Sequence, residues 1–128
     1  MENLIFVGVG GFLGASARYL LSSWLNHHFI TSYGSDFPAA TLLVNFSGSL
    51  LLALFVAWAG RRVDLSPNLR LLVATGFFGA YTTFSTFANE TVALVQRGAW
   101  LAAAANLIGT NALCILGVFM GLALASRL

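Results

Sequence analysis

Four stretches of this 128-residue chain, residues 3–25, 39–59, 69–95 and 99–125, hold only three charged side chains between them: Arg18, Arg70 and Glu90. At a rise of about 1.5 Å per residue each is long enough to cross a hydrocarbon core of about 30 Å as a helix. In lipid every backbone N–H and C=O needs a partner, and a continuous apolar run meets that need as a helix. Charged residues make up 8% of the chain and its mean hydropathy is +0.86; soluble domains carry about 25% charged residues. The sequence thus predicts an all-α membrane protein with four transmembrane helices. We expect one four-span domain over residues 1–128, multi-pass in the lipid bilayer of the cell's inner (plasma) membrane.

Few other function classes survive the composition. All six basic residues are Arg and the net charge is only +2, so no basic nucleic-acid face is expected, and no soluble partner is implied. The lone cysteine, Cys114, permits no internal disulfide. The amino terminus is expected to be a retained span, because Glu2 stands where a signal peptide carries positive charge. Residues 26–37 are polar and turn-forming and predict a loop, with His27 and His28 a solvated interfacial pair. Ser66-Pro67 predicts an N-cap followed by Pro at the first helical position. Gln96-Arg97-Gly98 predicts a tight turn. Four helices put both termini on one side. Arg61, Arg62, Arg70 and Arg127 share that side, and Arg18 and Arg97 lie opposite, a weak positive-inside bias.

The third span carries the unusual segment. Gly76-Phe77-Phe78-Gly79-Ala80-Tyr81-Thr82-Thr83-Phe84-Ser85-Thr86-Phe87 combines two glycines, a run of hydroxyl residues and five aromatic rings. Consecutive Ser and Thr compete for backbone hydrogen bonds, and irregular backbone at membrane depth survives only inside protein or along a watery path. Two readings follow: a helix broken near its middle at an ion site, or a helix packing closely through small residues. Glu90 is the only acid in any span and is either functional or an interfacial partner for an Arg.

Thr41, Asn45 and Ser49 recur at i, i+4 and i+8 on the second span, as do Asn106, Thr110 and Cys114 on the fourth, so each set shares a face. These stripes are either glue between helices or donors along a pathway. No nucleophile–base–orienter set exists, so an enzyme is not expected. Amides and hydroxyls donate hydrogen bonds without charge and can replace part of an anion's hydration shell. Ring edges are positive, so Phe84 and Phe87 either face an anion or simply pack. Gly10/Gly14 and Gly117/Gly121 form small-xxx-small surfaces. Four spans enclose a water-lined path poorly, so a homo-oligomer is expected, with these glycine surfaces available for contact.

The segment Gly79-Ala80-Tyr81-Thr82-Thr83-Phe84-Ser85-Thr86-Phe87, with Glu90 three residues on, closely resembles the CrcB/Fluc family of fluoride channels. Gly10-Gly11-x-x-Gly14 with Arg18, Thr41-Leu42-x-Val44-Asn45 with Gly48, and Arg97-Gly98 extend the resemblance over the whole chain. It implies an antiparallel, dual-topology homodimer with two fluoride pathways and passive export of F⁻ that relieves fluoride toxicity. It implies that Gly79 and Thr82 give backbone carbonyls to a structural Na⁺ at the dimer interface. Phe84 and Phe87 would be aromatic fluoride ligands, with Asn45 the amide donor beside them. Thr41, Ser85, Thr86, Asn106 and Thr110 would line the pathway, and Arg18 and Glu90 would be structural or vestibule charges. Asn106 stands where some members have tyrosine, Cys114 where some have serine, and Ala80 where glycine is common. A four-span drug/proton antiporter is the alternative, but it wants a carboxylate near the midplane, and Glu90 lies near an edge. A non-transporting assembly subunit would leave the hydroxyl-rich break without a purpose.

Overall fold

The computed structural model describes residues 1–33 and 37–128, with side chains described outside residues 29–36. Among these residues the structure is all helical. Helix α1 spans Glu2–Tyr33, α2 spans Ala39–Gly60, α4 spans Phe84–Gln96 and α5 spans Trp100–Ala125. Between α2 and α4 lies α3 (residues 67–81), which opens α-helical at Pro67–Arg70, widens to a π-helix over Leu71–Phe78, and closes α-helical at Gly79–Tyr81. Helices α3 and α4 are the two halves of one span, so four segments are long and apolar enough to cross a membrane. The four-helix membrane fold and the interrupted third span therefore stand as expected.

Two pairs of helices form the scaffold. Helix α1 packs along the π-helical stretch, and α2 packs along α5. Both seams are closed by glycine. A Cβ added at Gly10 or Gly14 would strike the carbonyl oxygen of Leu72 or Phe77, respectively. One added at Gly121 would meet Leu50 O and would lie 2.9 Å from Leu54 N. Backbone thus lies directly on backbone, the approach that small residues permit in a medium with no hydrophobic drive between helices. This corrects the expected role of these glycines. Both pairs are occupied inside the subunit and are not available to join two copies.

One boundary also differs from expectation. Residues 26–33 continue α1 and do not form a loop. His28 stacks on Trp24 one turn earlier, with ring centroids 5.1 Å apart. At 32 residues the helix is about 48 Å long, so its last turns extend past the hydrocarbon. The polar stretch of sequence there marks the edge of the lipid, not the end of the helix. Residues 34–36 of the expected loop lie outside the described residues. Within the third span Leu71–Phe78 is π-helical, a change of winding that hydrophobic spacing does not register.

Short polar contacts tie the ends. Ser66 Oγ accepts the Asn68 N–H at 3.2 Å, the expected N-cap. Arg70 donates to the carbonyls of Ala59 and Arg62 at 2.6 and 2.8 Å, and Arg61 donates to Ala125 O at 2.8 Å. These arginines satisfy carbonyls at the carboxyl ends of α2 and α5 and beyond, where helices leave acceptors unpaired. The expected turn before α5 holds Gly98 at φ +75°, among the described residues the only positive φ.

Candidate functional site: the break in the third span

The break falls at Thr82 and Thr83. Thr82 has φ −80°, ψ 158° and Thr83 has φ −151°, ψ 111°. Gly79, at φ −61°, ψ −34°, is helical. The break expected near the middle of the span thus consists of two extended threonines. The reason is local. An extended break keeps φ negative, so it needs no glycine, and β-branched residues suit extended backbone. Ala80 accordingly sits in the helix at no conformational cost.

One side chain holds the break. Asn45 on α2 accepts the Thr83 N–H on Oδ1 at 2.7 Å and donates Nδ2–H to the Thr83 carbonyl at 3.0 Å. Its amide thus pairs with a single residue as a neighbouring strand would. In a continuous helix the Thr83 N–H would reach Gly79 O. The Thr86 N–H, which would reach Thr82 O, goes to Thr83 Oγ1 at 3.2 Å, where Thr83 is the N-cap of α4. The carbonyls of Gly79 and Thr82 therefore both lose their helical donors, and hard oxygen acceptors remain at the break. Around it, Thr82 Oγ1 donates to Phe78 O at 3.0 Å, and Tyr81 and Ser47 hydroxyls lie 2.9 Å apart. Helix α2 comes close here because residue 48 is glycine; a Cβ would strike Thr82 Cγ2.

Two cavities flank the break. One, of about 240 Å³, is lined by Asn45, Ser49, Leu52, Thr82, Thr83, Phe84, Phe87, Thr110, Asn111 and Cys114. No lining residue is charged. Phe84 and Phe87 stand side by side with centroids 5.5 Å apart and planes at 53°; Phe87 is buried and Phe84 is 75% exposed. The second cavity, of about 390 Å³, is lined in part by Arg18, Tyr19, Ser22, Thr41, Thr86 and Glu90. Thr41 donates to Glu90 Oε1 at 2.8 Å. Glu90 Oε2 is buried with no hydrogen-bond partner among the described residues.

The structure brings most of the candidate residues together. Asn45, Thr82, Phe84, Phe87 and Thr110 share the uncharged cavity, while Thr41, Thr86, Arg18 and Glu90 share the charged one. Thr83 lines both. Ser85 is exposed and approaches Thr83 Oγ1 at 3.4 Å. Asn106 is 1% exposed and stands behind Thr110, lining neither cavity. Thr83, within the hydroxyl-rich segment, is the clamp partner and cap, and two participants escaped the sequence reading: Ser47 beside Tyr81, and Thr91 beneath Asn106. A hydroxyl three residues before the Thr86 N–H was a readable capping signal; nothing local marks the other two.

Residues 5–122 match the family model described as CrcB-like protein, Camphor Resistance (CrcB). The chain belongs to the CrcB family. A fluoride-specific ion channel FluC of Shewanella loihica is 46% identical over 121 residues, covering 94% of each chain. A FluC of Shewanella oneidensis is 45% identical over the same length and coverage. For a CrcB chain the uncharged cavity beside the broken span is the feature to explain.

Proposed function

We propose that this CrcB protein is a passive fluoride channel that exports F⁻ down its electrochemical gradient as an antiparallel, dual-topology homodimer. The observation that carries the reading is the uncharged cavity in which Asn45, Thr110, Phe84 and Phe87 converge beside an interrupted span. A small anion shed of water needs donors. Full positive charges would hold it too tightly to let it leave, whereas amide, hydroxyl and ring-edge dipoles replace hydration without trapping the ion. The names of the FluC relatives support the choice of anion.

The path runs from the vestibule of Arg18, Thr41 and Glu90, past Ser85 and Thr86, to Asn45, Phe84 and Phe87, and on to Thr110, with Asn106 behind it. Arg18 attracts anions into the vestibule. Asn45 uses one N–H on Thr83 and has a second N–H for the ion.

What a single subunit leaves uncovered supports the homodimer. Thr75, Gly79, Ser85, Thr86 and Asn89 are exposed in a single subunit, and polar groups turned toward lipid find no hydrogen-bond partners there. A second copy covers them. The freed carbonyls of Gly79 and Thr82 suit a hard cation, and two from each subunit would hold a structural Na⁺. Bound there, the cation supplies positive charge that offsets the cost of a nearby anion. In this chain, Asn45 and Thr83 perform the enabling step by drawing away the N–H groups that would otherwise occupy those carbonyls.

Purified protein in liposomes loaded with sodium fluoride and chloride tests the function, with a cation ionophore balancing charge. Rapid fluoride release with chloride retained is expected. Well-folded protein that releases no fluoride, or both anions equally, contradicts the proposal.

A further inference from the structure

Asn106 is the most buried polar side chain described, at 1% exposure. It links α5 to α4 through a chain of side chains. Its Nδ2–H donates to Thr91 Oγ1 at 2.8 Å, and Thr91 Oγ1–H donates to Phe87 O at 2.8 Å. On its other side, Thr110 Oγ1–H donates to Asn106 Oδ1 at 3.0 Å. The direction of this chain follows from its end. A carbonyl can only accept, so with Thr91 giving its hydrogen to Phe87 O, Thr91 Oγ1 accepts from Asn106. The amide oxygen then faces Thr110 and takes the Thr110 hydrogen.

This direction has a consequence for the cavity. Thr110 lines it, yet its hydrogen points back into the protein. Held by Asn106 Oδ1, that hydrogen is not available to an anion in the cavity. Turning that hydrogen outward would orphan Asn106 Oδ1, and leaving a buried acceptor unpaired is costly. An amide can avoid that cost. If Asn106 rotates by half a turn, its N–H donates to Thr110 Oγ1 and its oxygen accepts from Thr91. The Thr110 O–H is then free for the cavity, and all the linked side chains keep partners. Phe87 O loses only the Thr91 hydroxyl, because within α4 it also has the ladder N–H one turn on. The amide's oxygen and nitrogen are nearly the same size, so the rotation demands no repacking.

We propose that Asn106 is a reversible polarity relay, a positioning residue whose rotation lets Thr110 donate its hydroxyl hydrogen to fluoride in the cavity and withdraw it when the ion leaves. The proposal rests on the fluoride-channel reading. Neither leucine nor a carboxylate can do this, since the exchange needs a donor and an acceptor on one pivot. Thr91 is the fixed end of the relay, able to donate to either Phe87 O or Asn106.

The test uses the full-length protein in lipid nanodiscs and liposomes. The Asn106 side-chain amide signals in a ¹⁵N–¹H spectrum, assigned by their loss in Asn106→Asp, should shift when fluoride replaces chloride. They should stay unmoved by fluoride in Thr110→Val, which keeps the shape and lacks the hydroxyl. In parallel, Asn106→Leu and Thr110→Val should each slow fluoride efflux about tenfold, the scale of one hydrogen bond to a charged group, and the double variant should be no slower than the slower single. Thr91→Val should slow efflux, and Thr91→Ser should retain it. Amide signals that ignore saturating fluoride in protein that conducts, or losses that multiply in the double variant, overturn the relay. Failure of the wild-type protein to release fluoride overturns the channel reading instead, so the two failures are distinguishable.

Discussion

The two halves of the third span are held in place by opposite means. Before the break, α3 lies against α1 with backbone on backbone, and Gly10, Gly14 and Gly76 leave no room for a methyl group. After it, α4 is anchored through side chains: Asn45 on the Thr83 backbone, Thr41 on Glu90, and Asn106 on Thr91. Glycine contact fixes position by sterics and tolerates no change. Hydrogen bonds fix position by direction, and they can exchange partners. A permeation path belongs beside the second kind of contact, where donors can turn toward an ion.

This contrast predicts a ranked set of outcomes. The largest is Gly14→Val. Its Cβ would overlap Phe77 O and lie 2.8 Å from Phe77 C, and rigid backbone cannot yield as a side chain can. The cost should exceed the roughly 1–3 kcal/mol of ordinary overpacking, and size-exclusion chromatography should show aggregated protein. A monodisperse, conducting Gly14→Val would show that the seam is not tight.

Asn45→Leu comes next. It strips both partners from Thr83, leaving a buried N–H and C=O at roughly 1–3 kcal/mol each. We expect a lowered thermal midpoint in detergent and lost fluoride flux, because the Thr83 N–H can return to Gly79 O and close the break. Normal flux would mean that the break does not need its clamp.

Tyr81→Phe should do less. It removes one hydroxyl contact to Ser47, worth about 1 kcal/mol, and should lower the midpoint slightly while efflux persists. The smallest effect should be Gly8→Ala, which meets nothing within 4 Å. Stability should hold or rise by less than about 1 kcal/mol, as expected for Gly to Ala on an open helix face. A large loss there would place an unseen contact on the outer face of α1.

The ranking also explains how much could be read from the residues. Span count and order follow from hydrophobic length, a signal that sums over twenty residues. The Thr-Thr step was legible as a break because two adjacent threonines inside an apolar span have no other easy explanation. The glycines before it need not take part, because Thr82 and Thr83 break the helix in extended conformation at negative φ. The direction of Asn45 and the burial of Asn106 depend on which helices become neighbours. That is set by the seams at Gly10, Gly14, Gly117 and Gly121, and those contacts join residues far apart in sequence. Likewise, the glycine pairs announced close packing but not that their partners lie within the same chain.

The central claim is that the ring pair beside the broken span forms the fluoride path. The most direct measurement is fluoride efflux from liposomes containing Phe87→Ile, compared with wild type at matched protein density. Isoleucine keeps apolar bulk and removes the ring edge. The account predicts a protein that elutes like wild type yet releases no fluoride above protein-free liposomes; efflux at the wild-type rate would contradict it.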